Sequence, residues 1–445
     1  MIRREYIKPS IVRVGNPLYA KHGSSAQSYH FIRESIEGVK IRELVNKYGS
    51  PLFVFSERVL KLKFQEAKTA IQKFYPNVTF GWSYKTNYLN GICKVFHELG
   101  AFAEVVSKFE YEKAKKTGVP PEHIIFNGPH KPFETLKKAL LEGVQVHVDH
   151  FHEIEDVEQI AKESGKSIGI GIRINLDSGI YPIWSRFGFN LESGQAWAGI
   201  RRILESEHLK LAGFHFHLGT FILDSQAYGR AIQKLSKLIR EAESLAGYNI
   251  EFLDLGGGFA SLSHLKGIYQ PPEVVVPSVE TYAEMIGKEL SWLAVREPTP
   301  KLYLELGRHL VDEAGFLITQ VVADKSLPDG RRSYVLDAGI NLLYTSTWYK
   351  FKIELDREVA GIMEPSILHG PLCMNIDVVD EAILLPRLPR FQNLILSPVG
   401  AYNVTQWMQF IEYRPAVVMI GEKHKIKILR RAETLEDITD LEEEK

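Results

Sequence analysis

The stretch VQVHVDHFHEIEDVEQIAKESGKSIGIGIRIN (144–175) predicts the fold class of this chain. It begins with an alternating apolar run, continues through a segment of helical periodicity that stops at Gly165, and ends in a second apolar run. Glycine commonly follows the last turn of a helix, and two short strands joined by one helix form a parallel βαβ unit. The stretch therefore predicts a parallel sheet with helices packed against it.

The same alternation extends in both directions along the chain. Helical segments such as KFEYEKAKKTG (108–118) and PFETLKKALLEG (132–143) separate eight short apolar runs. Eight strand–helix units in about 230 residues are typical of a (β/α)8 TIM-like barrel, with an open doubly wound sheet as the alternative. The predicted strands are VTFGWSY (78–84), AFAEVV (101–106), HIIFNG (123–128), VQVHVD (144–149), IGIGIRIN (168–175), LAGFHFH (211–217), EFLDLG (251–256) and LYLEL (302–306).

The pattern changes beyond Gly307. Runs such as GFLITQVVAD (315–324) and SYVLDAG (333–339) are β-rich, have turn residues between them, and predict a second, mostly antiparallel β domain. We therefore expect an α/β chain with a barrel at 46–310 and a C-terminal β domain at 311–445. The N-terminal segment 1–45 contains no barrel unit and is expected to join the β domain.

Composition limits the classes of function. Among 445 residues, 54 Lys and Arg balance 55 Asp and Glu, which argues against a nucleic-acid-binding stripe or a polybasic membrane anchor. Cys93 and Cys373 are too few for a disulfide scaffold or a cysteine-rich metal site. No secretory leader or long apolar run is evident, so we expect a cytoplasmic enzyme that binds neither nucleic acid nor membrane.

The residues that follow the predicted barrel strands are unusual. In such barrels the active site lies at the carboxyl ends of the strands. Together these residues supply an amine, an aromatic ring, a glycine-rich anion site with a guanidinium, and a carboxylate, which is the set that pyridoxal phosphate (PLP) requires. They are Lys85, His215, His217, Gly256, Gly257, Gly258, Glu305 and Arg308.

Each of these features also has a simpler interpretation. A lysine at a strand end is usually a solvated terminus, and three consecutive glycines usually form only a tight turn. His215 and His217 lie on one face of their strand and resemble a zinc pair, but no third ligand follows at a familiar spacing, so no metal is expected.

Six motifs in order resemble the fold-type III PLP-dependent decarboxylases, the group of diaminopimelate, ornithine and biosynthetic arginine decarboxylases, whose barrel is similar to that of alanine racemase. The resemblance runs from about residue 48 to residue 415. The motifs are SYKTN (83–87), HFHLGT (215–220), LDLGGGF (253–259), ELGRHLV (305–311), GPLCMNID (370–377) and GAY (400–402).

The resemblance implies a role for each matching position. Lys85 would bind the cofactor covalently, His217 would stack on its ring, and Glu305 would pair with the ring nitrogen. Arg173 would approach the edge of the ring. Cys373, from a partner subunit of a homodimer, would return a proton to the carbon that loses CO₂, and Asp377 would pair with Arg186 across the dimer. The phosphate would be held by Thr220, Gly256, Gly257, Gly258, Arg308 and Tyr402.

Glu305 favours decarboxylation among the reactions of this group. A carboxylate beside the ring nitrogen keeps the nitrogen protonated, which helps the ring to accept the charge left when CO₂ departs. The similar alanine racemases place an arginine there. An amino-acid racemase or epimerase, and a non-catalytic PLP carrier, remain the alternatives.

Three positions depart from the family pattern. Leu306 replaces a proline and Thr220 replaces a serine, and both changes are mild. Met374 replaces the acidic residue that binds the distal amine of the substrate, and methionine cannot pair with an ammonium. We therefore expect altered recognition of the distal end, as in decarboxylases of secondary metabolism that accept a neutral, tethered or carrier-protein-bound amino acid.

Overall fold

The computed structural model describes residues 32–443. The strands of these residues are β1 (Ser35–Ile36), β2 (Val39–Lys40), β3 (Leu52–Ser56), β4 (Val78–Ser83), β5 (Phe102–Val105), β6 (Ile124–Phe126), β7 (Gln145–Val148), β8 (Ile168–Asn175), β9 (Phe189–Asn190), β10 (Leu209–Phe216), β11 (Phe252–Asp254), β12 (His264–Leu265), β13 (Lys301–Leu304), β14 (Gly315–Ser326), β15 (Arg332–Leu336), β16 (Tyr349–Lys350), β17 (Lys352–Leu355), β18 (Glu364–His369), β19 (Val378–Leu385), β20 (Asn393–Ser397), β21 (Ala416–Ile420) and β22 (Ile426–Arg430). The α-helices are α1 (Ile41–Tyr48), α2 (Glu57–Gln72), α3 (Asn90–Glu98), α4 (Lys108–Lys116), α5 (Phe133–Glu142), α6 (Phe151–Ser164), α7 (Gln195–Leu204), α8 (Gln226–Ala246), α9 (Pro272–Val275), α10 (Val279–Ala294), α11 (Arg308–Val311) and α12 (Glu436–Thr439).

Local sequence explains where the predicted helices begin and end. Gly143 and Gly165 both adopt the left-handed conformation directly after α5 and α6, as the sequence predicts. Helix α2 begins directly after Ser56, whose hydroxyl accepts a hydrogen bond from the Val59 amide as an N-cap. These caps satisfy backbone groups that the helix itself leaves free.

Within residues 32–443, eight parallel strands close into a barrel. The order of pairing is β4, β5, β6, β7, β8, β10, β11 and β13, and β13 pairs with β4. These are the eight strands that the sequence predicts, so the barrel is confirmed and the open sheet is excluded. Helices α2 to α8 and α10 bury apolar faces, and their side chains form one large core with the strands.

The second domain is a mixed, mostly antiparallel sheet. Its order is β19, β18, β15, β14, β3, β21 and β22, and β20 joins β14 to β17. The run PLFVF, included in the barrel domain by the expected limit at residue 46, forms β3 and pairs with β14 and β21 instead. Every residue of β3 is buried, and a short run that is apolar on both faces does not reveal which sheet it joins.

The described part of the N-terminal segment packs on this second sheet. Ile32 forms an isolated bridge to Leu355, and α1 buries Ile41 and Leu44 against apolar residues of the sheet. The remainder of the predicted 1–45 segment, residues 1–31, lies outside the described residues. We propose domain limits that place both 32–56 and 311–443 with the β domain. Among residues 32–443, none of the helices is both long enough and apolar enough to span a membrane.

Candidate active site

Lys85 lies at the barrel mouth, two residues after β4. Its Nζ is 2.5 Å from Oε2 of Glu104, a buried carboxylate of β5, while about a third of the Lys85 side chain is exposed. Burial opposes the charge, but the carboxylates of Glu104 and Glu305 outweigh it and raise the pKa of Lys85 above its ordinary value. The amine is therefore held beside a counter-charge, with one side open.

Glu305 follows β13 directly and is buried in the barrel lumen. Its Oε1 accepts a hydrogen bond from Nδ2 of Asn127 and lies 3.6 Å from Nε2 of His215. Burial alone would raise the pKa of Glu305, but the N–H of His215 and the Lys85 ammonium lower it well below its usual range. Burial, together with the charge of Glu305, raises the pKa of the neighbouring Asp254. Glu305 is thus the charged member of this carboxyl pair.

His217 faces the mouth from the end of β10. Its Nδ1 accepts a hydrogen bond from the Gly257 amide at 3.0 Å, so this nitrogen carries no proton. Burial lowers the pKa of His217 to about 3, which keeps the ring neutral. Trp184 lies beside it with a centroid separation of 5.7 Å. The ring is therefore fixed from one side by the backbone.

The three glycines 256–258 form a tight loop after β11, which we call the glycine loop. Gly256 and Gly258 have positive φ angles of 63° and 101°, where other residues are strained. A Cβ on Gly258 would lie 2.6 Å from the Gly219 carbonyl oxygen. The loop is therefore packed against residues 219–222, which include exposed Thr220. Such exposed backbone can bind an anion.

Arg308 begins α11 beside the glycine loop. Its guanidinium lies 4.6 Å from the Tyr349 ring centroid and 5.0 Å from that of Tyr402, and its Nη1 is 3.5 Å from Asp312. The Arg308 Nε is buried without a hydrogen-bond partner in the described chain. Tyr402 has a φ of 66°, and its amide donates to the Thr86 carbonyl, which brings the second domain to the mouth. Arg308 therefore retains a donor for an anion.

Arg173 lines the lumen from β8. Its Nη1 is 3.4 Å from Asp149, and its guanidinium lies 4.7 Å from the Phe187 ring centroid. Burial lowers the pKa of Arg173 from its ordinary value. The side chain is thus held by a carboxylate and a ring at the edge of the site.

These residues fit pyridoxal phosphate. The cofactor needs an amine, a carboxylate for its ring nitrogen, a flat neighbour for its ring and a phosphate site. Lys85, Glu305 and His217 provide the first three. The glycine loop, with the unpartnered Nε of Arg308, provides a phosphate site in which added Cβ atoms would clash with backbone.

Residues 370–377, which we call the cysteine loop, are arranged differently. Cys373 is exposed and Met374 is half-buried, both on the second domain. Asp377 is buried, and its carboxylate oxygens accept hydrogen bonds from the amides of Ile340 and Leu372, both at 2.8 Å. The loop is therefore anchored at Asp377 and open at Cys373.

This anchoring bears on one expectation. The resemblance implies that Asp377 pairs with Arg186 of the partner subunit, but the carboxylate is already used inside its own chain. Arg186 is exposed, and its guanidinium lies 4.7 Å from the Phe187 ring centroid. Pairing of Asp377 with the partner's Arg186 stays a prediction, because a carboxylate that accepts two backbone hydrogen bonds can still accept further donors.

The lumen contains a group of possible metal ligands that the spacing in the sequence does not reveal. No third ligand follows His215 and His217 at a familiar spacing in the sequence. In the described chain, ring nitrogens of His147 and His215 and a carboxylate oxygen of Glu305 all lie within 4.8 Å of one another. The third group thus comes from another strand, although Glu305 is also the carboxylate suited to the cofactor.

Several residues that line the barrel lumen are not among the site residues predicted from the sequence. They lie inside strands, where an isolated polar residue among apolar ones is easily taken for part of the core. What distinguishes them is that their side chains point into the barrel. The alternation of inward and outward positions along each strand is the sequence feature that could identify them. They are Glu104, Asn127, His147, Asp149 and Asp254.

The fold and the site together define a fold-type III barrel enzyme that uses pyridoxal phosphate. The chain belongs to the pyridoxal-dependent decarboxylase family, whose pyridoxal-binding domain matches residues 61–312. More than half of the chain lies in this match. The protein is accordingly a PLP-dependent carboxy-lyase that acts on an amino acid.

Relatives match almost the full length. Diaminopimelate decarboxylase of Aquifex aeolicus is 29% identical over 421 residues, covering 91% of this chain and 94% of the relative. The Bacillus subtilis enzyme of that name is 29% identical over 440 residues, covering 95% and 97%. The crystal structure of the Methanocaldococcus jannaschii enzyme superposes with a TM-score of 0.84 at 27% identity, covering 93% and 97%. The resemblance stated from the motifs is confirmed.

Proposed function

We propose that this chain removes the α-carboxylate of an amino acid in a site shared by two copies of the chain. The barrel lumen of one copy holds the cofactor, and the cysteine loop of the other closes over the substrate. The observation that carries the proposal is the set of Lys85, Glu305 and His217 at one barrel mouth beside the glycine loop. When bound, pyridoxal phosphate supplies an electron-withdrawing ring that stabilises the charge left after CO₂ departs.

The residues of the chain divide the work. Lys85 would hold the cofactor, and Glu104, whose Oε2 is 2.5 Å from the Lys85 Nζ, keeps the lysine in place. Glu305 stays charged, which favours a protonated ring nitrogen. Neutral His217 offers a flat face because its Nδ1 is engaged by the Gly257 amide. The glycine loop, Thr220, Arg308 and Tyr402 bind the phosphate, and Arg173 borders the ring.

Cys373 supports the shared site. Returning a proton to the reacting carbon needs a donor in a place that excludes water. In the single chain the Cys373 side chain is exposed, and the nearby Ile376 is 66% exposed. A partner subunit packed over this loop would shield both side chains from water. We therefore propose that Cys373 of one chain acts at the barrel mouth of the other.

The substrate is set by the neighbour of that cysteine. The relatives are named for diaminopimelate, and a Helicobacter pylori relative of 27% identity has been crystallised with L-lysine. The resembled enzymes place an acid where this chain has Met374. We propose a substrate whose distal group is neutral or tethered, such as an amino acid attached to a carrier protein.

A panel of substrates tests this proposal. CO₂ release would be measured with meso-diaminopimelate, lysine, ornithine, neutral α-amino acids and a carrier-bound aminoacyl thioester, using wild type and Met374→Glu. We expect wild type to prefer a neutral or tethered substrate, and Met374→Glu to shift the preference toward the diamino acids by about tenfold. Wild-type preference for meso-diaminopimelate, unaltered by Met374→Glu, would contradict the altered specificity. Loss of optical activity without CO₂ would instead indicate a racemase.

A further inference from the structure

His215 is a lumen residue that the proposed site leaves unused. It lies in β10, two residues before His217, and its side chain is buried. Neither ring nitrogen has a hydrogen-bond partner among the described residues, although Nε2 is only 3.6 Å from Oε1 of Glu305. An unpaired buried imidazole costs stability, so a role is expected for it.

The register of the barrel explains why the ring points at Glu305. His215 pairs with Arg173 of β8 and with Asp254 of β11, so all three side chains face the lumen at one level. Below them, His147 lies with its ring centroid 4.9 Å from that of His215. A Cβ on Gly171 would lie 2.6 Å from the His147 ring, so glycine makes room for this lower layer.

Glu305 needs more than one donor. Glu305 is buried, and two further buried carboxyl groups lie near it in the lumen. Asp254 interacts electrostatically with Glu305 itself, and Glu104 shares the Lys85 ammonium with it. Asn127 donates to one oxygen of Glu305, and a single neutral amide is modest support for a buried carboxylate. His215 stands next to the same oxygen with a free nitrogen. Burial lowers the pKa of His215, which leaves a neutral ring with one N–H to donate.

We propose that His215 is a positioning residue, whose Nε2–H donates a hydrogen bond to Glu305 and holds this carboxylate in place for the cofactor's ring nitrogen. The inference rests on the proposed function, because it presumes that Glu305 meets the ring. The ring shift required is small, since the two atoms are already 3.6 Å apart. His147 packs against His215 from the layer below.

Two substitutions separate this role from simple packing. His215→Phe keeps a ring of similar size without a donor, whereas His215→Gln places an amide N–H near the position of Nε2. Equilibrium dialysis of cofactor-free full-length protein against PLP would give the dissociation constant, and thermal unfolding without cofactor would give Tm. We expect His215→Phe to weaken PLP binding about tenfold, His215→Gln to restore it to within about threefold, and Tm of the Phe variant to be unchanged or higher.

A matched control uses a histidine outside the lumen. Both ring nitrogens of His97 have partners, namely the Tyr84 hydroxyl and the Ala101 carbonyl, each at 2.9 Å. His97→Phe should lower Tm and leave the PLP dissociation constant unchanged. A double-mutant cycle with Glu305→Gln should show that most of the His215→Phe effect disappears when the carboxylate is absent.

The outcomes distinguish the inference from the proposed function. If wild type does not bind PLP at all, the proposed function fails first. If wild type binds PLP but His215→Phe binds it equally well, or if His215→Gln gives no rescue, the positioning role is overturned. Tight binding of Zn²⁺ by the cofactor-free protein, lost in both His215 variants, would likewise overturn it in favour of a metal site.

Discussion

The barrel lumen and the cysteine loop differ in how far their proposed functional side chains are positioned within one chain. In the lumen, Lys85, Glu305 and His217 are positioned by neighbours of the same chain before any ligand arrives. In the cysteine loop, Asp377 is held by backbone amides such as that of Ile340, but Cys373 is exposed to solvent on the second domain. The residues proposed to hold the cofactor are therefore positioned within one chain, whereas the loop proposed to meet the substrate is open in the single chain.

This difference predicts that the two halves tolerate change differently. Most lumen residues are buried, and there an unpaired polar group is unfavourable and each hydrogen-bond partner matters. Residues at the tip of the cysteine loop meet water in the single chain, so Met374 can differ from the acid of the resembled enzymes without disturbing the fold. We therefore expect substitutions in the cysteine loop to alter substrate specificity while the cofactor site stays the same.

Removing the cofactor's lysine should have the largest effect. Lys85→Ala should abolish covalent cofactor attachment and reduce CO₂ release by at least about a thousandfold, because no other amine occupies that position. Absorbance of the bound cofactor and CO₂ release would both be measured. Lys108→Ala, at an exposed lysine that begins α4, is the control and should behave as wild type. Covalently attached cofactor in the Lys85→Ala variant would contradict the assignment of Lys85 as the attachment site.

Changing the cysteine should separate the two halves. Cys373→Ala should lower CO₂ release by roughly a hundredfold, since a positioned proton donor is lost, while the PLP dissociation constant stays within about twofold. Mixing this variant with Lys85→Ala under conditions that exchange subunits should restore about a quarter of wild-type activity, because half of the dimers would contain one intact site. Failure of the mixture to recover activity, with exchange verified by mass spectrometry, would contradict a shared site.

A smaller effect is expected at the glycine loop. Gly258→Ala combines a positive φ of 101° with a Cβ placed 2.6 Å from the Gly219 carbonyl oxygen. We expect PLP binding to weaken about tenfold and Tm to fall, from a strain of about 1–2 kcal/mol plus displacement of the loop. Gly267→Ala has a φ of 87° and open space around its Cβ, so it should lower Tm only. Equal PLP binding by the two variants would argue against the glycine loop as the phosphate site.

The smallest effect is expected at the anchor of the cysteine loop. Asp377→Asn keeps one side-chain acceptor for the amides of Ile340 and Leu372 and should cost about 1 kcal/mol of unfolding free energy, with unchanged PLP binding. Chemical denaturation and dialysis would measure both. If Asp377 also pairs with the partner's Arg186, its substitution and Arg186→Ala should be coupled by about 1 kcal/mol or more in a double-mutant cycle. Additive effects would contradict the ion pair across the dimer.

Much of the fold follows from the sequence because periodicity and turn residues record it locally. The unit at 144–175 is a strand, a helix closed by Gly165 and a strand, as its pattern predicts. The sheet to which β3 belongs does not follow, because its five buried residues have the same apolar pattern in either domain. That assignment depends on long-range pairing with β14 and β21.

The site was predictable where residues follow a strand and form a motif. Lys85, His217 and Glu305 all stand at strand ends, and the structure gathers them at one mouth. Glu104 and His147 were not predictable in the same way, because they lie inside strands and only barrel closure turns them toward the lumen. The satisfied environment of Asp377 also depends on contacts between distant segments.

The most direct test of the central claim is to locate the cofactor covalently. The full-length protein, as wild type and as Cys373→Ala, would be incubated with PLP, reduced with borohydride, digested and analysed by peptide mass spectrometry. We predict a phosphopyridoxyl adduct on Lys85 in both proteins, to the same extent, because the lumen alone holds the cofactor. An adduct on another lysine, or its loss in Cys373→Ala, would contradict this account.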